Sequence, residues 1–337
     1  MGPSQGWFPP VPAAPASSLP PAEQRRRRPP SPYARELDRA AQLARVAGGV
    51  LLRHYGSVKA VLKAGGSPVT VADQDSSCII VEGLRRYFPN DAVVSEEEEG
   101  VAGRSRARRL WLVDPLDGTR EFLAQNGEFS IMIGLAVGGH AVLGVVYAPA
   151  LDMLWGAAPG IGAFVEEGRI RRRLTRLRPR PGAPLRFVGS RSHADPLVLA
   201  LAGSFPRAEI VPSGSVGLKC ARIAEGTSDV YVHPIPYMKA WDLCAPEAIL
   251  REAGGTVTDC LGLPLRYRRT QPEQPHGIAA CAPGVASEVM RALAPLYAER
   301  AAAAVERAVE DARRAAAAPR VVAPPAPAIF PVDRLAS

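Results

Sequence analysis

The sequence predicts an α/β protein, on three observations. Apolar or small residues recur at Leu37, Ala41, Ala44, Gly48, Leu51 and Tyr55, which is the spacing of one helix face. Two apolar runs, Ile131 to Val137 and Val142 to Tyr147, flank Gly138-Gly139 and read as a β-hairpin. After Phe187, helix-like and strand-like segments alternate at 196–203, 208–211, 216–225, 229–232, 242–253, 256–259 and 277–281. Such alternation builds an α/β layer structure.

Taken in order, residues 1–30 are rich in Pro, Ala, Ser and Arg and are expected to be a disordered tail, because they bury too little surface to offset ordering entropy. Ser31-Pro32 fits an N-cap followed by proline at the first helical position, opening the first helix. Gly48 and Gly49 weaken that helix unless another backbone packs closely there, and Gly56 ends it. A loop through Lys63, Gly65, Gly66 and Ser67-Pro68 leads to Val69-Thr70-Val71-Ala72-Asp73 and a second helix to about Tyr87. Asp91 to Ser95 reads as a buried strand ending in four glutamates, Glu96 to Glu99, and Leu110 to Val113 as another ending at Asp114. Phe187-Val188-Gly189 begins a new strand after an Arg/Pro-rich break at 169–184. A boundary is therefore expected near 180, between a segment at 31–180 and a second at 181–298, the parts that the motifs below make metal-binding and substrate domains. Gly254-Gly255 fits a helix end. Residues 299–337 are expected to give an exposed Ala-rich helix, stopped by Pro319, and a disordered tail.

Composition narrows the class. Of 337 residues 47% are apolar and 22% charged, which suits a soluble globular chain. Fifteen of the 34 prolines fall in residues 1–32 and 319–337, and the remaining ~285 residues suffice for a large layered core. Collagen-like, coiled-coil and wholly disordered chains are excluded. The most apolar region, Ile131 to Val165, is broken by Gly138-Gly139-His140, Pro149 and Asp152, so no membrane span is expected. The first residues lack the order of a signal peptide. Five cysteines without a CxxC pair fit a reducing compartment, and a cytoplasmic location is expected. The net charge of +8 sits largely in Arg25 to Arg28 and in a run from Arg169 to Arg180. Neither run has interleaved aromatics, so they read as solvated tail and hairpin edge, with no nucleic-acid partner. Nothing in the sequence specifies an oligomeric state.

The strongest local signal is Trp111-Leu-Val-Asp114-Pro115-Leu116-Asp117-Gly118-Thr119. A strand emptying into Asp-Pro-Leu-Asp sets two carboxylates and a carbonyl on one turn, oxygen donors that suit a hard cation such as Mg2+. A helix beginning at Gly118-Thr119 would add an anion site. For the four residues alone, an ordinary Asx-turn with an N-cap aspartate is the better reading.

Four further blocks accompany it: Val69 to Asp73, Ser95-Glu96-Glu97, Gly189-Ser190-Arg191-Ser192-His193, and Trp241-Asp242-Leu-Cys-Ala245 before Arg251 to Gly255. Together the five blocks resemble the inositol monophosphatase superfamily of Mg2+-dependent, lithium-sensitive phosphatases. Residues 114–130, through Asn126-Gly127-Glu128-Phe129-Ser130, are most similar to its CysQ-type 3'(2'),5'-bisphosphate nucleotidases. The resemblance covers about residues 33–290. It implies the αβαβα layered sandwich of the inositol monophosphatase/fructose bisphosphatase type, with an α+β N-terminal half and an α/β C-terminal half.

The resemblance also implies roles. Glu96, Asp114 and the Leu116 carbonyl would bind one Mg2+, and Asp114, Asp117 and Asp242 a second, with two or three ions per site. Asp73 and Thr119 would activate the attacking water, with Glu96 beside them. Gly118, Thr119, Ser190, His193, Lys219, His233 and Asp242 would meet a small phosphorylated nucleotide. Read independently, carboxylates converging on one cleft raise each other's pKa values, and bound Mg2+ inverts that cost. The implied activity is removal of the 3'-phosphate of 3'-phosphoadenosine 5'-phosphate, a step of sulfur metabolism. The alternatives are an inositol 1-phosphate or fructose 1,6-bisphosphate phosphatase on the same core, or an inactive basic protein that binds nucleic acid or membrane. Some positions depart from relatives: Val216 stands where some have serine, His233 where a relative has a phosphate-binding arginine, and Gly65 replaces an acidic residue. Lys219, Arg191 and His193 are candidate replacement cations.

Other residues have plainer readings. Glu97 to Glu99 read as a solvated run, Trp111, Trp241, Cys220 and Cys244 as packing, and His54 and His276 as surface or core. Asp242 alone would be the N-cap of the helix after it.

Overall fold

The computed structural model describes residues 31–57, 61–62, 68–98, 107–174, 182–191, 195–236, 238–268, 270 and 272–317. The stretch 1–30, the loop at 63–67, Glu99, Arg176, Arg178, Arg180, His193 and residues 318–337 lie outside that set.

Helix α1 (Ala34–His54) leads, through the short strands β1 (Val61–Leu62) and β2 (Pro68–Val69), to α2 (Val71–Tyr87). Then come β3 (Ala92–Ser95), β4 (Arg109–Asp117), the one-turn helix α3 (Thr119–Leu123), β5 (Ser130–Val137), β6 (His140–Ala148), β7 (Met153–Ala158), β8 (Gly162–Glu167) and β9 (Ile170–Arg173). The chain continues with β10 (Arg186–Ser190), α4 (Pro196–Gly203), β11 (Glu209–Ser213), α5 (Val216–Ala224), β12 (Val230–His233) and β13 (Met238–Lys239). It ends with α6 (Ala240–Glu252), β14 (Thr256–Thr258), β15 (Glu273–Gln274), β16 (Ile278–Cys281) and α7 (Ala286–Ala317).

Strands β3 to β9 form one seven-stranded sheet in sequence order, with only β3 and β4 parallel. The second sheet runs β11-β10-β12-β16-β14, with β10 parallel to both neighbours. Alternation along the strands decides what each face covers. Trp111, Val113, Ile131, Ile133 and Leu135 pack with α1 and α2, while Leu110, Leu112 and Met132 pack with α5 and α6. In the second sheet Val188, Tyr231 and Ala280 face α5 and α6, whereas Phe187, Val230 and Ala279 face α4 and α7. The layers are thus helices, sheet, helices, sheet, helices: the αβαβα sandwich. The expected boundary near 180 falls between β9 and β10, and α6 packs on both sheets.

Gly134 and Gly144 set the distance to the middle layer. A β-carbon at 134 would lie 2.7 Å from Cys244 Sγ, and one at 144 would overlap the Ala245 carbonyl. Gly48 has a similar reason: a β-carbon there would meet the Tyr147 ring and Pro149. What packs at Gly48 is therefore a ring and a proline side chain, and nothing lies within 4 Å of Gly49.

Four local expectations are corrected. Helix α1 begins at Ala34, because the Ser31 hydroxyl donates to Pro159 O (2.6 Å) and a turn at 31–34 comes first. Strand β4 does not stop at Asp114 but runs through Asp-Pro-Leu-Asp. The Ala-rich helix is the far end of α7, which starts at Ala286 and is anchored by Val289, Leu293 and Tyr297. Asp242 is not an N-cap: Lys239 is, and Asp242 lies in the first turn of α6. That helix does close on Gly254-Gly255, with Gly254 at φ +93 and both amides bonded back to Arg251 and Leu250 carbonyls.

Candidate active site

The site starts from a flaw in a strand. Along β4, Asp114 pairs with Met132 and Asp117 with Ser130, so two residues of β4 face one of β5 between them. In a regular strand, residues three apart point to opposite faces. The extra residue is a bulge, and it turns Asp117 to the face that Asp114 already occupies. That face looks onto α5 and α6, and Asp242 approaches it from the first turn of α6.

Electrostatics show how close these carboxylates lie. Asp114 is 2% exposed. Burial pushes its carboxyl well above the usual range, and the charges of Glu96, Asp117 and Asp242 push it further. Asp242 is raised by burial and then by Asp117 and Glu96. Asp117 is raised by burial, with Lys219, the Ser215 hydroxyl and the 216 and 217 amides opposing. Among the described residues, no three acidic, histidine or cysteine side chains close on a single point. The four face each other within electrostatic reach, all offering oxygen. Like charges of this kind, one buried and three half-buried, fit a hard dication, which would turn their mutual repulsion into attraction.

Beside them lies the Asp73–Thr119 pair. Thr70 caps α2, and Asp73 closes the capping box: its Oδ2 accepts the Thr70 amide at 2.8 Å and the Thr70 hydroxyl at 2.7 Å. Its Oδ1 accepts the Thr119 hydroxyl at 3.3 Å, which is shared with Leu116 O at 3.3 Å. Burial raises the Asp73 carboxyl, the Thr70 bonds lower it, and the Glu96 charge raises it again. Ser76 donates to Pro115 O at 2.8 Å and Ser77 bonds Ser95, tying α2 to both strands that carry the acids. Gly118, at φ +94, makes the turn from β4 into α3.

A cavity of about 400 Å3 opens from the Asp117 end. Asp117, Gly118, Ser190, Lys219 and His233 line it, with aliphatic walls from Pro196, Val198, Leu199, Ile210 and Ile235. Asp73, Glu96, Asp114, Thr119 and Asp242 are not among its lining residues. Lys219 is 5% exposed; its Nζ donates to Ser215 O at 3.1 Å and stands over the Tyr231 ring. Burial lowers its pKa, with Asp117 opposing. His233 is pushed down to about 4, by burial and then by Lys219. It therefore faces the cavity as a neutral imidazole and does not replace an arginine's charge.

Ser215, one position before Val216, donates its Oγ to Asp117 Oδ2, and Gly217 N reaches the same oxygen at 3.0 Å. One expectation about a neighbouring position changes. Arg191 is held by Glu128 in two bonds of 2.8 Å, so it is not an uncommitted cation. Thr70, Ser76 and Glu128 had no role in the sequence reading. Of these, Thr70 had a legible signal, the Thr-x-x-Asp spacing of a capping box. The plainer readings of the rest fit: Trp111 is buried, Cys220 and Cys244 are free and buried, Glu98 pairs with Arg85, and His54 makes an exposed pair with Asp75.

Fold and site together define a phosphatase of the layered αβαβα class, and the family model agrees. The chain belongs to the inositol monophosphatase family, whose model matches residues 34–306. Among curated proteins, the 3'(2'),5'-bisphosphate nucleotidase CysQ of Escherichia coli K12 is 40% identical over 235 residues, covering 68% of this chain and 93% of that protein. The CysQ of Salmonella typhimurium is 39% identical over the same length. Among solved structures, CysQ from Bacteroides thetaiotaomicron matches with a TM-score of 0.64 and 32% identity, over 74% of this chain and 97% of that one. The IMPase of Thermotoga maritima gives 0.64 at 28% identity, over 79% and 99%. Among the described residues, no helix is long and apolar enough to cross a membrane.

Proposed function

We propose that this chain is a Mg2+-dependent 3'(2'),5'-bisphosphate nucleotidase, which hydrolyses 3'-phosphoadenosine 5'-phosphate to AMP and phosphate. The observation that carries the reading is the bulge that sets Asp114 and Asp117 on one face opposite Asp242, with Asp73 and Thr119 alongside and a nucleotide-sized cavity adjoining. Glu96, Asp114, Asp117, Asp242 and the Leu116 carbonyl would hold the metal. Bound there, Mg2+ would supply charge neutralisation for the phosphoryl group and would acidify the attacking water.

The chain's own residues do the rest. Thr119 donates its proton to Asp73 Oδ1, which leaves its oxygen lone pairs to orient an attacking water and take up its proton. Water adds its oxygen to phosphorus, the ester bond to the 3' oxygen breaks, and that oxygen takes a proton from solvent to leave as a hydroxyl. Asp73 is kept in place by the two Thr70 bonds. Lys219, buried at the cavity wall, and Arg120 bring positive charge to the cavity, and Ser190, His233 and Gly118 offer uncharged polar contacts. The aliphatic walls suit a nucleoside better than a polyol, which favours the nucleotide over inositol 1-phosphate.

Phosphate release should be measured on 3'-phosphoadenosine 5'-phosphate, inositol 1-phosphate and fructose 1,6-bisphosphate, with and without Mg2+. The nucleotide is expected to show the highest kcat/KM by ~10-fold or more, about 1.4 kcal/mol of transition-state binding. Equal or reversed preference would refute the nucleotide, and full turnover in EDTA would refute the metal.

A further inference from the structure

Glu128 holds together parts of the chain that the chemistry needs but does not itself join. It lies between α3 and β5. Its Oε2 accepts the Gly214 amide at 2.7 Å as well as Arg191 Nε at 2.8 Å, and its Oε1 accepts Arg191 Nη2 at 2.8 Å. Arg191 also donates its backbone amide to Ser213 O (3.2 Å) and Nη2 to Pro212 O (3.4 Å). One carboxylate from the first sheet's side thus gathers the ends of β10 and β11 in the second.

The loop so gathered has an uncommon shape. Ser215 sits at φ +46, a value that a side chain disfavours. Gly214 has no room for one: a β-carbon would lie 2.5 Å from Glu128 O and 2.6 Å from Glu121 Cγ. That shape aims the Ser215 hydroxyl and the Gly217 amide at a single oxygen, Asp117 Oδ2, while Ser130 bonds Ser215 from behind at 2.9 Å. The bulge gives Asp117 its face, the loop holds one of its oxygens there, and Glu128 is among the groups that hold the loop.

We infer that Glu128 is a positioning residue: its clamp on Arg191 and Gly214 fixes the 213–217 loop, and through Ser215 and Gly217 it orients Asp117 for metal binding and turnover. This rests on the metal-dependent phosphatase reading above. The rival account is that Arg191 meets the substrate's second phosphate and Glu128 is only an exposed partner. An ion pair of that kind contributes little on its own.

The full chain, Glu128→Gln, Arg191→Gln and the double variant should be compared by three measurements. These are Mg2+ binding to the substrate-free protein by titration calorimetry, kcat and KM on 3'-phosphoadenosine 5'-phosphate, and thermal unfolding. Each single variant is expected to weaken Mg2+ binding and lower kcat by ~10–100-fold, the usual effect of losing a residue that supports a metal ligand. KM should stay within about twofold and the unfolding temperature within a few degrees, and the double variant should be no worse than the poorer single, as for two residues acting as one unit. Unchanged Mg2+ affinity and kcat in Glu128→Gln would overturn the proposal. So would losses that multiply in the double variant, with Arg191→Gln raising KM alone. Because the Mg2+ titration needs no substrate, wild-type protein inactive on the nucleotide would refute that substrate, while weakened Mg2+ binding in the variants would still support the clamp.

Discussion

Asp73→Asn separates the two tasks that one carboxylate performs. Oδ2 closes the capping box of α2 with the Thr70 amide and hydroxyl, and Oδ1 takes the Thr119 proton. Asparagine has one acceptor oxygen and one donor nitrogen. With its oxygen toward the Thr70 amide, the nitrogen faces Thr119 and cannot accept. The Thr119 hydroxyl then turns to Leu116 O, already 3.3 Å away, and no group takes up the proton of the water. Loss of a positioned proton acceptor costs ~10²–10⁴-fold in turnover, or about 2.7–5.4 kcal/mol at 1.36 kcal/mol per decade. Stability should move far less. The cap bond to the amide survives, and a lost cap is worth about 1 kcal/mol. Removing a carboxylate whose pKa burial has raised offsets part of that. Phosphate release at saturating Mg2+ and a thermal melt read both. Thr70→Ala is the control, because it removes the hydroxyl that holds Oδ2 while leaving Asp73 itself. It should cost about 1 kcal/mol of stability, with a smaller loss of turnover. Turnover within a few-fold of wild type in Asp73→Asn would refute the assignment of Asp73 to the water.

Four further outcomes can be checked. His233 is pushed down to about 4 from an unfolded 6.5, so below pH 6.5 the unfolded chain binds the extra proton and stability falls as pH drops towards 4. The full effect is about 3 kcal/mol, and His233→Gln should flatten that limb of the stability curve. Gly144→Ala puts a β-carbon into the Ala245 carbonyl, backbone that cannot rotate away, and should cost about 1–3 kcal/mol. Gly49→Ala, with open space around it inside α1, should instead stabilise by about 0.5–1 kcal/mol; both are read by denaturant unfolding. Arg300→Gln breaks the pair in which Nη1 meets both Asp195 oxygens at 2.8 Å, and Asp195 caps α4 at the cavity wall. It should raise KM by about threefold or more with kcat nearly unchanged, and steady-state kinetics on the nucleotide decide it.

Much of this was legible in the sequence because its signals are local. The hairpin at Gly138-Gly139, α4 after Asp195-Pro196, and α2 after Thr70 each carry their own turn or cap chemistry in neighbouring residues. What was not legible depends on contacts between distant segments. The bulge at Asp114–Asp117 shows only when β4 is paired with β5, so the four residues read as a turn. Ser31-Pro32 is a sound helix start in isolation, but Pro159 O takes the serine hydroxyl. Arg191 looked like an available cation because nothing in its own stretch announces Glu128, 63 positions away. The start of α7 was missed because 286–298 mixes buried Val289, Leu293 and Tyr297 with Pro295, which breaks the even alanine pattern that follows.

The arrangement also explains why metal and substrate functions fall on different stretches of chain yet act together. Of the acids at the ends of β3 and β4, Asp117 alone lines the cavity, since the first sheet is covered on one face by α1 and α2 and its other face is closed down on α6 through Gly134 and Gly144. The cavity forms where α5 begins, with Ser215 and Lys219 in its wall, while α6 brings Asp242 to the acids beside it. Both helices rest on both sheets, so any shift of the middle layer moves the cavity wall and Asp242 together relative to Asp114. A substitution that loosens that layer, such as Gly144→Ala, should then weaken Mg2+ binding and raise KM in the same variant. A change at the outer wall, such as Arg300→Gln, should alter KM alone. The middle helices are what couple the two halves of the site.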